Sequence, residues 1–598
     1  MALQPRVLRC GRRWLSARPT AGQFDYVIVG AGSAGCVLAN RLSSDPSNSV
    51  LLIEAGGEHN ALTSPYDALS LKMPAMCLNN INGTRHNWAF QGEPEPELGG
   101  RQLKHDRGKV LGGSSSINGM VFIRGHPQDF EGWTRAGCDG WDYQEVLPYF
   151  KRMETYDGGG DEFRGDSGPL HVHRPSPTNP LDVAFLKAGA EAGYPLTDDK
   201  NGAQQEGFGV FDRTVHAGER WSTARAYLDP ARNRPNLTVA SNALVERVVL
   251  NGGCATGVVY RDGGGRRLSA SAEHEVILSA GAVGTPHLLM LSGIGARSHL
   301  EAHDIECHAD LQGVGANLND HPDFVMKFRC PQPVTLYPQT KPLQSVLAGA
   351  QWLLTREGIC SSNHFDVVAC VKSSPEVPYP DLQLTISPIA MEDLSFEPMQ
   401  EHAFQMHVGL MKVYSRGSIE LRDADPASPP RILVNYLQDE RDRAAMRRGI
   451  RMIRALVAQP AFAPLCGEEI FPGADAESDE ALDAHLRTHC ASQWHLTSTA
   501  RMGRVTDPEA VVDSNGQVHG VGRLRVVDAS IMPEVTNGNT NSPTIMLAEK
   551  LSDAILGREI WAPIVADVAQ PKARAEPELV PVAARPKVRK WLHTIQYA

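Results

Sequence analysis

The 598-residue sequence lacks the long apolar segments and the basic surface that mark two large classes of protein. No stretch reaches about 18 consecutive apolar residues, the length at which a membrane-spanning helix is expected. Lysine and arginine number 58 against 69 aspartate and glutamate residues, a net charge of -11. Phosphate contacts require a basic surface, so we do not expect a nucleic-acid partner. The composition instead predicts small-molecule partners.

A regular cysteine pattern is also missing. The 11 cysteines are scattered from Cys10 to Cys490, and no CxxC pair occurs among them. Disulfide-stapled scaffolds and common zinc sites place their cysteines at characteristic spacings. We therefore predict neither a disulfide scaffold nor a metal site.

The two ends of the chain differ in composition from the rest. Residues 1–22 hold five arginines among apolar residues, and no acid precedes Asp25. This composition is typical of an organellar import signal. It predicts a mitochondrial protein, either associated with the inner membrane or not. A start placed too far upstream is the alternative, and it predicts a bacterial cytoplasmic protein or one at the inner-membrane periphery. Residues 563–598 combine proline, alanine and mixed charge without helical periodicity, which predicts a poorly packed tail.

A glycine-rich turn follows the first β-branched run. Tyr26–Val29 precedes Gly30, Gly32 and Gly35, and a helical stretch begins near Ser33. In a strand, turn and helix of this kind, the first glycine makes the turn and the second lets the backbone approach a pyrophosphate. The third lets the helix pack on the strand, and the helix N-terminus faces the anion.

An acidic residue ends the next strand-like run. Val50–Ile53 is followed directly by Glu54, whose carboxylate can accept hydrogen bonds from a ribose. Together with the glycine-rich turn, it predicts a dinucleotide site in a Rossmann-like α/β fold. The alternative is a similar turn that binds no phosphate. These features do not distinguish NAD from FAD.

Two longer segments carry a family resemblance. Residues 108–118, GKVLGGSSSIN, and 281–295, GAVGTPHLLMLSGIG, resemble the two signatures of the glucose-methanol-choline (GMC) oxidoreductases. Further matches continue in family order, and the resemblance spans about residues 24–556. It implies an α/β fold, α+β overall, with a Rossmann-like FAD-binding domain assembled from separated segments. A second domain is then expected to cover the flavin with an antiparallel sheet and to form the substrate cavity.

The resemblance also implies domain boundaries and cofactor contacts. Residues 24–322 would form the FAD-binding region, 323–411 the substrate-domain sheet, and 412–556 the rest of the substrate domain with the last FAD-domain segment. Some relatives attach FAD through a histidine at the position of Ile117, which has no nucleophile, so we predict non-covalent FAD. The FAD contacts implied by the resemblance are Val110, Gly113, Asn118, Val121, Val245, Trp494 and Asp528. For Val245 the alternative to an FAD contact is an ordinary valine in a strand.

Alcohol oxidation by a flavin requires a base for the hydroxyl proton while hydride passes to flavin N5. Histidine suits this role because its unperturbed pKa is about 6.5, and we expect the base to titrate near neutral pH. Among 21 histidines, His495 lies in a segment that resembles the family's catalytic segment. The partner position, histidine or asparagine in the family, falls on Asn539 or Asn541, and Asn539 is preferred.

Two substrates remain open within the family. The pattern is similar to enzymes that oxidise choline and to bacterial enzymes that oxidise aliphatic alcohols. A quaternary ammonium needs an aromatic wall and usually a carboxylate, and Trp88 and Asp323 are candidates for these roles. Thr385 stands where choline-oxidising relatives often have histidine, which favours the aliphatic alternative.

The electron acceptor is expected from the resemblance alone. Dehydrogenases of this type pass electrons to membrane quinones, which implies a quinone or other acceptor and peripheral membrane association. Oxygen remains an alternative acceptor, and the oligomeric state stays open.

A serine hydrolase is the alternative from another reaction class. Residues 165–169, GDSGP, copy the nucleophile sequence of chymotrypsin-like proteases. That chemistry needs a histidine and an aspartate placed by a β-barrel, whereas the pentapeptide lies in a nucleotide-binding chain. The surroundings therefore argue against it.

Overall fold

The computed structural model describes residues 20–58, 64–83, 85–392 and 397–569, and it has the α/β architecture that the sequence predicts. Two large sheets are surrounded by helices. None of the helices in these ranges combines the length and the apolar composition needed to cross a bilayer. The helices are Ser33–Leu42, Pro65–Lys72, Cys77–Asn82, Pro127–Arg135, Tyr143–Met153, Pro180–Glu191, Ala224–Leu228, Asp229–Ala231, Gly281–Leu291, Arg297–Ala302, Pro342–Thr355, Glu440–Val457, Asp479–His489 and Asn541–Ile555.

Sheet A is the Rossmann-like layer. Its strands, in spatial order over the described residues, are Leu237–Ala240, Val50–Ile53, Thr20–Val29, Arg267–Leu278, Cys254–Arg261 and Leu244–Asn251, with Leu524–Val526 beside Arg267–Leu278. The first four and Leu524–Val526 are parallel, and the remaining two join antiparallel. Parallel strands bring their carboxyl ends to one edge of the sheet, which is where ligands bind in such folds. Gly30 and Glu54 therefore lie at the same edge.

The first strand and helix of sheet A follow the predicted strand, turn and helix. Val27 and Ile28 are fully buried, which accounts for the β-branched run. Gly30 has a φ of +97°, and a Cβ atom there would lie 2.5 Å from the carbonyl oxygen of Ser279. A Cβ atom at Gly35 would lie 1.9 Å from the carbonyl oxygen of Gly30. Only glycine fits these two positions.

Sheet B is antiparallel and provides the predicted substrate-domain sheet. Its strands, again in spatial order over the described residues, are Glu469–Phe471, Pro322–Arg329, Ala403–Leu410, Leu382–Ser387, Val367–Val371 and Gly207–Val210, with Ala491–Ser492 beside Pro322–Arg329. Strand Gly207–Val210 comes from within residues 24–322, the segment that the sequence assigns to the FAD-binding region. The substrate-domain sheet therefore also draws on that region.

Short two-stranded pairs lie outside the two larger sheets. They are Phe90–Gln91 with Lys104–His105, Val121–Phe122 with Asp212–Arg213, Glu154–Tyr156 with Leu170–Val172, Val215–His216 with Glu219–Arg220, Ile294–Gly295 with Ala309–Asp310, Met391–Glu392 with Glu397–Pro398, and Ser418–Glu420 with Arg431–Leu433.

A buried ion pair joins the first and last helices of the FAD-binding layer. Arg41 Nη2 lies 2.6 Å from Glu549 Oε1, and the Glu549 side chain is fully buried. Tyr227 Oη also donates to Glu549 Oε1 at 2.8 Å. These bonds satisfy a carboxylate that would be costly to bury alone. They hold helix Asn541–Ile555 against helix Ser33–Leu42, and so bring the loop that contains Asn539 beside the glycine-rich turn.

The ends of the chain are only partly described. Residues 1–19 and 570–598 lie outside the described residues, so the predicted import signal falls almost wholly outside them. The predicted poorly packed tail, residues 563–598, lies mostly outside the described residues, and residues 563–569 are exposed or only partly buried. Ile564 N donates to Gln144 O at 3.0 Å, and Ala569 N donates to Ala203 O at 2.9 Å. The side chains of Ile564 and Val568 pack against the core, so this part of the tail is attached to the protein.

Candidate active site

One continuous cavity of about 1590 Å³ connects the carboxyl edge of sheet A with the inner face of sheet B. Ordinary ligand pockets measure roughly 300–1,000 Å³, so this cavity has room for a dinucleotide and a substrate together. Predicted site residues on its wall are Gly30, Gly32, Ser33, Glu54, Trp88, Gly113, Asn118, Val121, Val245, Asp323, Trp494, His495, Asp528, Asn539 and Asn541. Gly35 and Val110 are predicted residues that do not line it. Gly35 packs the helix on the strand, and Val110 is buried against Leu71 and Ile117.

The phosphate end of the cavity is formed by the glycine-rich turn. Gly32 caps helix Ser33–Leu42, which has no side-chain cap and no acid in its first turn. A Cβ atom on Gly32 would meet only the carbonyl oxygen of Ser279, at 4.0 Å. The helix N-terminus therefore offers unpaired N–H groups and a positive dipole to the cavity. These features fit the pyrophosphate of a dinucleotide.

Glu54 closes the same end of the cavity. Its Oε2 atom accepts from Ala31 N at 2.8 Å, and its Oε1 atom accepts from Gly56 N at 2.7 Å. Burial raises the pKa of its carboxyl to about 7, and the two backbone amides oppose this rise. Each oxygen keeps a second lone pair, so Glu54 can still accept a ribose hydroxyl while it holds both loops in place.

The 108–118 segment lies directly against the glycine-rich turn. Gly112 N donates to Ala31 O at 2.7 Å. Gly113 has a φ of +52°, and a Cβ atom on it would lie 2.7 Å from the Cα atom of Gly32. A larger residue at Gly113 would push the two loops apart. Further along, Asn118 Oδ1 accepts from Arg220 Nη1 at 2.8 Å, which fixes the amide on the cavity wall.

Asp528 ties the second signature to the last strand of sheet A. Its Oδ2 atom accepts from Thr285 Oγ1 at 2.6 Å and from Gly281 N at 2.9 Å. Its Oδ1 atom accepts from Ser530 N at 2.8 Å, and burial raises the pKa of its carboxyl. Segments distant in sequence thus meet at one side chain on the cavity wall.

His495 and Asn539 face each other on the wall of the same cavity. Asn539 Nδ2 lies 3.1 Å from His495 Nε2, while Asn539 Oδ1 is buried without a protein partner. Asn541 makes a different contact, because its Oδ1 atom accepts from Ser33 Oγ at 2.7 Å at the start of the last helix. Of the two asparagines, the structure therefore places Asn539 beside the histidine and Asn541 beside the glycine-rich turn.

The surroundings of His495 keep its imidazole neutral. Burial lowers the pKa of His495 well below its usual value, and His321 and the Arg107 guanidinium lower it further. A neutral imidazole has a lone pair available to accept a proton. The expectation that this base titrates near neutral pH is thus wrong, because the sequence does not show how deeply the ring is buried or that Arg107 lies nearby.

Asp320 anchors the catalytic segment and is a residue to which the sequence analysis assigned no role. Its Oδ1 atom accepts from His495 N at 2.6 Å, and its Oδ2 atom accepts from Ser492 Oγ at 2.5 Å. Tyr436 Oη also donates to Oδ2. Asp320 precedes His321 and Pro322 in the chain, and this local sequence does not show which backbone its carboxylate contacts.

Asp323 faces the cavity from the first residues of its sheet B strand. Its Oδ2 atom lies 2.8 Å from His407 Nδ1, and its Oδ1 atom accepts from Gln493 Nε2 at 3.0 Å. Two side chains already contact the ring of Trp88. The Lys109 ammonium lies 4.4 Å from the centroid of its ring, and Phe90 stacks on it at 5.5 Å.

The GDSGP pentapeptide does not line this cavity. Ser167 is exposed, and no hydrogen bond joins its hydroxyl to a histidine of the described ranges. Gly168 N donates to Glu154 O at 2.9 Å, which identifies a structural turn. The hydrolase alternative has no support in this geometry.

A dinucleotide loop joined through one cavity to a buried histidine and amide defines an oxidoreductase that moves hydride between a dinucleotide and a substrate. Comparison with protein families agrees with this class. Models described as GMC oxidoreductase match residues 24–323 and 413–548. The chain belongs to the GMC oxidoreductase family. It is accordingly an FAD-dependent enzyme that acts on CH–OH groups, which confirms the predicted family, cofactor and reaction class.

The most similar relatives include two choline dehydrogenases. "Choline dehydrogenase, mitochondrial" of Mus musculus is 46% identical over 536 residues, which cover 90% of this chain and 90% of that protein. "Oxygen-dependent choline dehydrogenase" of Pseudomonas putida is 46% identical over 541 residues, covering 90% of this chain and 94% of that protein.

Solved structures share the fold at lower identity. Pyridoxine 4-oxidase from Mesorbium loti has a TM-score of 0.80 and 30% identity, covering 90% of this chain and 100% of that chain. An Aspergillus oryzae formate oxidase variant has a TM-score of 0.83 and 27% identity, covering 90% and 99% respectively. These similarities confirm the predicted fold class.

Proposed function

We propose that this enzyme oxidises the primary alcohol of choline to the aldehyde, with His495 as base and Asn539 as its partner. The observation that carries the proposal is the 3.1 Å contact between Asn539 Nδ2 and the Nε2 atom of a buried, neutral His495. Both side chains lie on the wall of the cavity that also contains the phosphate loop. Similarity to two choline dehydrogenases supports the choice of alcohol.

The protein's part in the reaction is to bind, align and deprotonate the alcohol. His495 Nε2 accepts the hydroxyl proton, and Asn539 Nδ2 holds the substrate oxygen at the same place by donating a hydrogen bond. Asp320 keeps the His495 backbone in position through the 2.6 Å bond to its amide. FAD supplies the hydride acceptor when it is bound.

Other residues on the wall of the same cavity would hold that cofactor without a covalent bond. The open space above Gly32 and the uncapped helix N-terminus fit its pyrophosphate, and Glu54 fits a ribose. We propose the same role in FAD binding for the other predicted contacts, namely Ser33, Val110, Gly113, Asn118, Val121, Val245, Trp494 and Asp528. For Val110 this contact would have to come from the backbone, since its side chain is buried elsewhere. Ile117, which lines the cavity, offers no linkage atom.

The proposed ammonium subsite centres on Asp323. Its side chain is only 10% exposed, so a cation beside it would be weakly screened. Phe365 and Trp494 also line the cavity and offer aromatic surface, whereas the face of Trp88 already carries the Lys109 ammonium. Sequence reasoning missed Phe365, because nothing in the chain's local pattern places it on the wall of the same cavity as Asp323.

An aliphatic alcohol is the second candidate substrate. Both oxygens of Asp323 already have hydrogen-bond partners in His407 and Gln493, which reduces the need for a substrate cation. Thr385 lies on the cavity wall at the position where choline-oxidising relatives often have histidine, and this also favours an aliphatic alcohol.

Anaerobic mixing with alcohols distinguishes the two substrates. Choline should bleach the flavin, and Asp323→Asn should raise its KM about 10- to 100-fold because the partner charge is lost. The uncharged isostere 3,3-dimethylbutan-1-ol is the matched control, and its KM should change little. Equal effects on both alcohols would assign Asp323 a purely structural role. Bleaching by hexanol but not by choline would establish the aliphatic alternative.

We further propose that the enzyme lies at a membrane surface and passes its electrons to a quinone. Helix Pro342–Thr355, PLQSVLAGAQWLLT, contains no charged residue. One side of it is apolar and exposed, with relative exposures of 66% for Leu343, 59% for Leu347 and 86% for Leu354. Ser345, Ala348 and Gly349 of the same helix line the cavity. An uncharged helix at the cavity wall would let a lipid-soluble acceptor approach the site from a bilayer.

The triple variant Leu343→Ser, Leu347→Ser, Leu354→Ser should lose binding to phosphatidylcholine and phosphatidylglycerol vesicles in a flotation assay. Reoxidation by vesicle-embedded quinone should fall with it, while turnover with a soluble acceptor stays constant. Serine at the exposed Val505 and Val565, which are 77% and 78% exposed, is the control for general loss of apolar surface. Equal flotation of parent and triple variant would reject the proposed surface.

We also propose a cellular location for the enzyme and the limits of its segments. If residues 1–22 are an import signal, the enzyme is mitochondrial, as one relative's name states for that protein. Otherwise it is a bacterial enzyme of the cytoplasm or the inner-membrane periphery. Residues 24–322, 323–411 and 412–556 are our proposed segments, with Gly207–Val210 contributed from the first to the substrate-domain sheet.

A further inference from the structure

A second histidine contacts the proposed base on the side away from Asn539. His321 Nδ1 lies 2.9 Å from His495 Nδ1, and the two rings are nearly perpendicular at 82°. His321 is fully buried, and it is not among the residues that line the cavity. It therefore acts on His495 without touching the substrate.

When two neutral imidazoles make such a contact, one of the two Nδ1 atoms carries a proton and the other does not. Burial lowers the pKa of His321 to about 3, and burial together with His321 and Arg107 lowers that of His495 well below its usual value. Each ring then carries one N–H group, so one Nδ1 atom donates and the other accepts. The open question is which ring donates.

The contact between Asn539 and His495 answers this question. Asn539 Nδ2 lies 3.1 Å from His495 Nε2, and an amide nitrogen only donates, so Nε2 accepts and the proton of His495 lies on Nδ1. His321 Nδ1 then accepts from His495 Nδ1, and the proton of His321 lies on Nε2. That Nε2 atom is sealed from solvent and has no hydrogen-bond partner among the described residues.

We propose that His321 is a positioning residue that keeps the proton of His495 on Nδ1 and leaves the Nε2 lone pair of His495 directed at the substrate site. The chain of bonds runs from Asn539 Nδ2–H to His495 Nε2 and from His495 Nδ1–H to His321 Nδ1, and the substrate hydroxyl replaces Asn539 at Nε2 when it binds. This inference rests on the proposed role of His495 as base. Asp320 fixes the backbone of His495, and His321 fixes its ring.

The consequence is a base oriented by a neutral partner. A carboxylate in the place of His321 would hold the same tautomer but would also stabilise the imidazolium and raise the pKa of His495. A neutral imidazole holds the tautomer without adding negative charge. When Nε2 accepts the hydroxyl proton, the Nδ1–H bond to His321 is retained, so no second proton needs to move.

Two amide substitutions separate this role from simple packing. In His321→Asn the side-chain oxygen occupies the place of Nδ1 and can accept from His495, whereas in His321→Gln the amide reaches the place of Nε2 instead. We expect His321→Gln to lower the rate of anaerobic flavin reduction about 10- to 100-fold. His321→Asn should stay within about threefold of the parent rate, with KM and FAD content unchanged in both variants.

Nitrogen-15 NMR of histidine-labelled protein provides a readout other than activity. The His495 signal, identified by its loss in His495→Ala, should show a protonated Nδ1 atom in the parent and in His321→Asn. In His321→Gln it should shift toward the Nε2–H tautomer. Parent-like rates and tautomer in His321→Gln would overturn the inference, as would a parent protein with His495 protonated on Nε2. If His495→Ala itself retained full activity, the proposed base would be wrong instead, which keeps the two failures distinct.

Discussion

His495→Ala is expected to lower the rate of flavin reduction by the alcohol about 10²- to 10⁴-fold while FAD remains bound. The loss follows because His495 Nε2 is the proposed proton acceptor, and an alanine side chain has no group that accepts a proton. Cofactor binding should persist, since the substitution leaves the glycine-rich turn and the Glu54 contacts unchanged. Rapid mixing under anaerobic conditions measures this step separately from the acceptor reaction.

The pH dependence of the same step tests the environment of the base. The folded-state pKa of His495 is lowered, chiefly by burial, so the neutral form that accepts a proton is already complete at neutral pH. The parent rate should therefore be constant between about pH 7 and 9 and fall only in acid, where the imidazole becomes protonated. Asn539→Ala should slow reduction more than Asn541→Ala, which serves as the control. A His495→Ala rate within about threefold of the parent would falsify the assignment.

Gly32→Val is expected to yield a folded protein that contains no FAD. The φ of Gly32 is -77°, which any residue adopts, and a Cβ atom would contact only Ser279 O at 4.0 Å. The protein itself therefore tolerates a side chain here, and the valine would occupy the space that the pyrophosphate requires. The flavin released by acid from equal amounts of parent and variant gives the result. In the parent, FAD should appear in the acid supernatant, since Ile117 offers no covalent link.

Two other glycines show why Gly32 is the informative position. Valine at Gly30 or Gly35 would meet backbone atoms at 2.5 Å and 1.9 Å, so those variants would fail through folding rather than through ligand binding. Gly132→Val, in a helix where the nearest atom is a flexible Arg135 nitrogen at 3.7 Å, controls for the cost of a branched residue. A Gly32→Val protein with parental flavin content and activity would show that the phosphate lies elsewhere.

The nucleotide-binding half was largely predictable because its signals are local. These signals are a β-branched run, three spaced glycines and an acid at the end of the next strand, and they lie within about 30 residues. The structure places them in a strand, a turn and a helix and at the end of the following strand. Family-like segments then predicted the second sheet and the cofactor. Strand Gly207–Val210 was missed, because its pairing with Val367–Val371 is a contact between distant parts of the chain.

The active site depended far more on tertiary structure. The sequence by itself determined the family, the dinucleotide loop and the candidate base, since each is carried by residue types at fixed spacing. Only the folded chain decided that Asn539 rather than Asn541 faces His495, that the Trp88 ring is covered by Lys109, and that burial lowers the pKa of the base. It also brought His321 to within 2.9 Å of His495. These properties depend on distance and burial between segments far apart in sequence, and local spacing does not encode them.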